Sequence, residues 1–267
     1  VSKISDTWAQ YVSQCKLPCE KKRKHIDTDN GESVHYLPYF QPLERTPTVW
    51  SPVMIQIPMK GQDSNTLLQY VPLQINFKHP DFAPVALLCD IFHSKEGEIR
   101  TKGYAYGFSL NLDIVRGVLI FGLTEATSPV KALNEFYKWL QRLEADPHKV
   151  ITQFALETAC STEVYDYFST KCTPTDVISE NVTTLFKGLP NLQESLVLLD
   201  RYKNCTIELV IECYYRYFKK FLEPQKLLVL TTNPNSCESI QSEMKSLLDV
   251  DLNIVDFQDI WIDYNKD

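Results

Sequence analysis

The stretch EIRTKGYAYGFSL, residues 98–110, places an arginine six residues ahead of a tyrosine with a glycine midway between them: Arg100, Gly103 and Tyr106. From Tyr104 onward aromatic and small residues alternate, which is the period of a β-strand, where every second residue shares a face. Two readings follow. In one, Tyr106 packs beside Tyr104 and Phe108 on one face of a sheet, and Arg100 makes an ion pair at a helix end. In the other, Gly103 turns the chain so that Arg100 and Tyr106 converge as part of a site, with Tyr104 as a substitute donor off that position.

The neighbouring sequence supplies the frame. YAYGFSL and GVLIFGLTE (104–110 and 117–125) are two strand patterns joined by a short polar turn around Asp113 to Gly117, an antiparallel hairpin. Ahead of them, VWSPVMIQIPMKG and TLLQYVPLQINF read as strands. HPDFAPVALLCDIFH reads as a helix, with Asp81 at the N-cap, Pro84 in the first turn, and Phe82, Val85, Leu88 and Phe92 at helical spacing. Behind them, Ser128-Pro129 starts a helix whose Val130, Leu133, Phe136, Tyr137, Leu140 and Leu143 form one apolar stripe. Residues 149–222 are mostly helical, with breaks at CTPTD and GLPN. The helix from Thr206 sets Leu209, Val210, Cys213, Tyr214, Tyr217 and Phe221 on one side. A strand (QKLLVLTT), a helix (SCESIQSEMKSLL) and a strand (DLNIVDF) close the pattern. The fold class is α+β, an antiparallel-rich sheet packed against a layer of helices.

The first 47 residues differ. EKKRKHIDTDNGES is charged, and YLPYFQPLERTP carries three prolines, so 1–47 reads as the end of an upstream module plus a linker, with the domain at 48–267. The Lys21 to Lys24 cluster is a solvated linker on this reading. The Val1 start, with no leader, leads us to expect a fragment or processed chain.

Composition narrows the function classes. A net charge of -7 disfavours a general nucleic-acid binder, which needs clustered Lys and Arg. No apolar run reaches membrane-spanning length. Eight scattered cysteines in a chain with 44% hydrophobic residues read as reduced thiols and not as a disulfide framework. We therefore expect a cytoplasmic compartment, with the mitochondrion as the alternative. Cys15 and Cys19 with His25 and His35 have loose finger-like spacing and are read as free thiols. No phosphate-binding glycine loop and no nucleophile elbow is present.

The segment GEIRTKGYAYGFSLNLDIVRGVLIFGL, with MKGQDSNTLLQYV and HPDFAPVALLCDIF around it, resembles the C-terminal signature of the pitrilysin/insulinase family of zinc metallopeptidases (inverzincins), nearest the presequence-protease-like subgroup. The resemblance runs over roughly residues 50 to 260. It implies the pitrilysin/mitochondrial-processing-peptidase-like α/β roll. It also implies a transition-state hydrogen bond from Tyr106 and a substrate clamp from Arg100 and Tyr106, with Gly103 providing the turn.

The family's zinc motif, H-x-x-E-H, is absent. The five histidines are His25, His35, His79, His93 and His148, and the nearest approach, HSKEG at 93–97, has Gly97 where the second ligand would stand. The expectation is thus no metal and no cofactor in this chain, with zinc in an upstream, zinc-bearing domain of the same protein. The chain would be the non-zinc half of a metalloendopeptidase that degrades peptides in a closed chamber, and inactive alone. The alternative is a noncatalytic scaffold or a peptide-binding subunit of a larger complex.

Overall fold

A computed structural model describes residues 54–256, apart from 74, 115, 187–191 and 224–226, and of 183–186 and 192–195 it describes only the backbone. The upstream module and linker at 1–47, the Cys15/Cys19 spacing, the Lys21 to Lys24 cluster and the GLPN break lie outside the described residues.

Six strands form one mixed sheet: β1 (Met54–Pro58), β2 (Asn65–Pro72), β3 (Ala105–Asp113), β4 (Val118–Ala126), β5 (Leu227–Thr232) and β6 (Asn253–Ile254), in the order β3-β4-β2-β5-β1-β6. The β3–β4 hairpin is antiparallel, with Phe108 opposite Leu123 and Leu110 opposite Phe121. It turns at Gly117 (φ +64°), where Arg116 N–H is capped by Asp113 Oδ1 at 2.9 Å. Antiparallel pairing continues through β2 to β5, and both β5 and β6 then run parallel to β1. The terminal strand–helix–strand unit therefore straddles β1.

Strict alternation buries Leu67 and Val71 of β2 on one face, and with them the polar Gln69. Gln69 is fully paired: Nε2 donates to the Phe221 carbonyl at 3.0 Å, and Oε1 accepts from the Tyr137 hydroxyl at 3.1 Å. A buried amide left unpaired would cost on the order of 1–3 kcal/mol, so this pair of bonds fixes how sheet and helices register.

Helix α1 (Phe82–His93) and the short α2 (Glu96–Thr101) precede the hairpin. Then come α3 (Pro129–Ala145), α4 (Pro147–Val150), α5 (Gln153–Ser169), α6 (Pro174–Phe186), α7 (Leu192–Lys203), α8 (Ile207–Arg216) and, between β5 and β6, α9 (Cys237–Leu248). The α3 stripe is buried along its length, and Phe136 stacks on Phe121 of β4 with ring centroids 4.1 Å apart. Phe92, Phe108, Phe218 and Phe221 complete an aromatic core between sheet and helices.

Two expectations need correction in detail. Asp81 does occupy the N-cap position of α1, but its carboxylate makes no cap bond. Instead it accepts from Arg216 and from the Tyr217 hydroxyl at 2.6 Å, tying the start of α1 to the end of α8. On α8, Val210, Cys213 and Tyr214 are buried, but Leu209 is 44% exposed. Leu209 lies about 90° around the helix from the centre of the Val210–Cys213–Tyr214–Tyr217 stripe. The α-helix stops at Arg216, and Phe218–Leu222 tightens into a 3-10 turn that brings Phe218 and Phe221 inward.

Candidate functional site

Arg100 sits in the last turn of α2, where the chain reverses through two bonds: Gly103 N–H to Arg100 O at 3.0 Å and Tyr104 N–H to Ile99 O at 3.2 Å. That pair of bonds is the Schellman helix stop, and its C′ residue must be left-handed. Gly103 has φ +69°, and a Cβ there would meet nothing within 4 Å, so conformation alone demands glycine.

The turn is stapled to α3. Thr127 Oγ1 donates to Gly103 O at 2.6 Å, and Tyr104 O accepts the N–H groups of Thr127 and Ser128. Lys102 Nζ lies 2.8 Å from Glu135 Oε2, and Trp139 Nε1 donates to Glu98 Oε2 at 3.2 Å. Hydrogen bonds from Lys102 and Lys138 hold the Glu135 carboxyl below the usual glutamate range. These contacts fix the short helix that carries Arg100. None of them was foreseen in the sequence, because Glu135 and Trp139 read there only as part of a helix.

On β3, the edge strand, Phe108 and Leu110 are buried while Tyr106 is 59% exposed. The β3–β4 register runs unbroken past this point, and it is against β2 that β4 bulges: Ala126 pairs with Asn65 and Leu123 with Leu67, so Thr124 and Glu125 together face Thr66, with Glu125 at φ +50°. Ala105 is buried, and at Gly107 a Cβ would lie 2.2 Å from Thr124 Oγ1, so this A-Y-G strand holds small residues on either side of the projecting tyrosine.

Arg100 and Tyr106 meet. The guanidinium carbon lies 4.3 Å from the centre of the Tyr106 ring, a cation–π contact worth about 0.5–1 kcal/mol at an exposed position. Among the described residues neither the guanidinium nor the phenol hydroxyl has a hydrogen-bond or ion-pair partner. The packed-aromatic reading falls to Tyr104, which is half-buried against the core. The ion-pair reading of Arg100 finds no acid among the described residues. A forked cation and a phenol, both hydrogen-bond donors, thus face solvent side by side.

His93 ends α1, and its Nε2 accepts the Leu110 N–H at 3.0 Å while its ring stands edge-on to Phe108. It is occupied as a structural acceptor. Among the described residues no group of three His, Cys, Asp or Glu could hold a metal ion, so zinc does not fit this part of the chain. No described helix is long and apolar enough to cross a membrane.

Beyond β3, the far side of α1 carries a cluster the sequence did not reveal. The carboxyls of Asp90 (α1) and Glu163 (α5) approach each other beneath Tyr202 (α7). Burial, and then the Asp90 charge, push Glu163 up to about 7. Asp90 Oδ2 is buried and lacks a donor from the protein unless Glu163 carries a proton.

No family model matches the chain. Two curated proteins of Schizosaccharomyces pombe are similar to it. One is the mitochondrial presequence protease, 38% identical over 66 residues, which is 24% of this chain and 7% of that protein. The other is the uncharacterized protein C3H1.02c, 24% identical over 214 residues, 74% of this chain and 19% of that protein. The chain therefore spans less than a fifth of either relative. Among solved structures, the periplasmic protease PqqL from Escherichia coli superposes with a TM-score of 0.56 at 14% identity, over 78% of this chain and 26% of PqqL. A protease from Helicobacter pylori gives 0.53 at 16% identity, over 67% and 43%. An inactive peptidase domain from Bordetella parapertussis gives 0.50 at 16% identity, over 62% of this chain and 89% of that one.

Proposed function

We propose that this pitrilysin-like C-terminal fold is the non-zinc half of a zinc metalloendopeptidase, supplying substrate and transition-state contacts to a catalytic zinc held by an upstream domain. The observation that carries the reading is the convergence of Arg100 and Tyr106, both exposed and, among the described residues, without other partners, over a turn that only Gly103 closes easily. The relatives' names supply the reaction class, and their greater length supplies the missing domain.

The two side chains have complementary tasks. As a peptide carbonyl becomes tetrahedral, negative charge grows on its oxygen, and a preorganised donor aimed there is worth about 10²–10³ in rate. Tyr106 would give its phenol proton to that oxygen as a hydrogen bond without losing it. Arg100 would hold a neighbouring backbone carbonyl with its fork, a geometry lysine cannot copy. Its stacking on the Tyr106 ring keeps the phenol from swinging away. A peptide strand would lie along the β3 edge, as in β-augmentation. Zinc held by the upstream domain would supply the activated water.

Peptide binding to the chain, measured by anisotropy with labelled unstructured peptides, tests the clamp. Arg100→Ala should weaken binding about tenfold and Tyr106→Phe should weaken it little, since the phenol acts in the transition state. Equal binding by Arg100→Ala would overturn the clamp. A noncatalytic assembly subunit is the second reading, favoured by the exposed apolar side chains of Phe154, Tyr165 and Ile178 on α5 and α6. The free thiols of the described cysteines support placing the chain in the cytoplasm, with the mitochondrion as the alternative.

A further inference from the structure

An open pocket of about 410 Å³ lies between the last turns of α1 and α3, with α2 and α4 on its sides. That is within the size range of small-ligand sites, about 300–1,000 Å³. Glu98 of α2 lines it, and Arg100 lies about 200° around that helix from Glu98, so the pocket opens away from the Arg100–Tyr106 pair. Its floor is apolar: Ile91 and Phe92 from α1, Trp139 from α3 and Val150 from α4. The two rings are held in place. Phe92 stacks on Phe218 with centroids 5.9 Å apart, and Trp139 stands edge-on to Phe108 at 5.7 Å. Trp139 Nε1 also donates to Glu98 Oε2 at 3.2 Å, so the floor is formed before any ligand arrives.

The rim carries five charges, and their engagements differ. Glu98 accepts from Trp139 and lies 3.7 Å from the Lys95 ammonium. Asp146 caps α4, its Oδ1 accepting the Lys149 N–H at 3.3 Å. Both acids, and Lys95, are thus engaged within the protein. The Arg142 guanidinium and the Lys149 ammonium are exposed and, among the described residues, have no hydrogen-bond or ion-pair partner. A cation in the last turn of α3 already complements the carbonyl end of that helix, but such a role needs no cavity beside it.

We propose that this pocket binds a small organic carboxylate with an aromatic body, the ring against Phe92 and Trp139 and the carboxylate toward Arg142 and Lys149. A flat ring can lie offset or edge-on to both aromatic side chains, the arrangements that aromatic pairs prefer. The guanidinium fork offers a carboxylate two parallel N–H bonds, and the ammonium adds a second cation at the same opening. A neutral molecule of the same shape would gain the floor alone. An amine would meet two unpaired cations, with both rim acids already engaged. Neither Arg100 nor Tyr106 lines the pocket, so the site does not depend on what that pair contacts.

The experiment titrates the nitrogen-15-labelled chain at neutral pH with three probes that share one indole ring: indole-3-propionate, 3-ethylindole and tryptamine. The reporter is the indole N–H signal of Trp139, told from those of Trp8, Trp50 and Trp261 by replacing these three one at a time with phenylalanine. Indole-3-propionate should move that signal and bind at least about fivefold more tightly than tryptamine, the scale of one or two exposed ion pairs. In the double variant Arg142→Gln, Lys149→Gln the preference should vanish while the affinity for 3-ethylindole stays unchanged. Both positions are exposed, so the fold should be kept, and circular dichroism checks it. Ala145→Phe, which narrows the opening at another exposed position, should weaken all three probes. A Trp139 signal that none of the probes moves, equal affinities for indole-3-propionate and tryptamine, or an anion preference that survives the double variant would overturn the proposal.

Discussion

Replacing Glu163 by glutamine should make the protein more stable at pH 8 and change nothing below pH 4.5. The side chain is partly buried among carboxyls, and its pKa rises from an ordinary 4.5 to about 7 through burial first and the Asp90 charge second. A carboxyl whose folded pKa exceeds its unfolded one favours folding while protonated, so its contribution is complete below pH 4.5 and is lost as pH climbs through 7. Each tenfold change in proton affinity is about 1.36 kcal/mol, which sets a ceiling near 3 kcal/mol. The side chain is only partly buried and solvent screens it, so about 1–2 kcal/mol is the expected cost of ionisation. Glutamine cannot ionise and can still donate to Asp90 Oδ2, the buried acceptor that otherwise lacks a donor at high pH. Urea unfolding at pH 4.5, 6, 7 and 8.5 measures this directly. Wild type should lose stability across the series relative to Glu163→Gln, by about 1–2 kcal/mol at the alkaline end. A variant less stable than wild type at pH 8.5, or a difference independent of pH, would refute the protonated-pair account.

Asp81 should behave with the opposite sign. Burial pushes its carboxyl up, but the hydrogen bonds from Tyr217 and Arg216 outweigh burial and hold it below its ordinary 3.8. Asp81→Asn should therefore cost about 2 kcal/mol at pH 7 in urea unfolding. That deficit should shrink only as pH falls below 3.8 and wild type is protonated too. Gly103→Ala, forced into a left-handed conformation in open space, should cost about 1–2 kcal/mol by thermal unfolding. Phe136→Ala removes a ring stacked on Phe121 and should cost about 3–5 kcal/mol, enough to threaten folding at 37 °C.

The features legible in the sequence are those encoded by neighbours in the chain. The β3–β4 hairpin, the α3 stripe and the turn at Gly103 were readable because period and turn chemistry act over a few residues. What escaped depends on distant partners. Asp81 looked like a helix cap, but its partners Arg216 and Tyr217 lie 135 and 136 residues away and bind the carboxylate more strongly than a cap would. The insertion of β1 between β5 and β6 leaves no local trace, because parallel pairing is set by the crossover. Tyr106 was legible as a candidate, but its exposure was not, since strand alternation alone would set it on the same face as the buried Phe108 and Leu110. Glu163 gave no signal because an acid in a helix ordinarily faces water. Its burial shows only once α1 and α7 pack against α5.

On the function proposed, Arg100 and Tyr106 would be the substrate and transition-state contacts of a peptidase completed by a zinc domain outside this chain. The direct measurement is hydrolysis of fluorogenic peptides by the full-length protein with zinc supplied, comparing wild type, Tyr106→Phe and Arg100→Ala at matched stability. Activity should be chelator-sensitive, with a fall in kcat of about 10²–10³ in Tyr106→Phe at nearly unchanged KM, and a rise in KM in Arg100→Ala. Unaltered rates in both variants would contradict that function, and a full-length wild type with no activity would give the place to the noncatalytic scaffold.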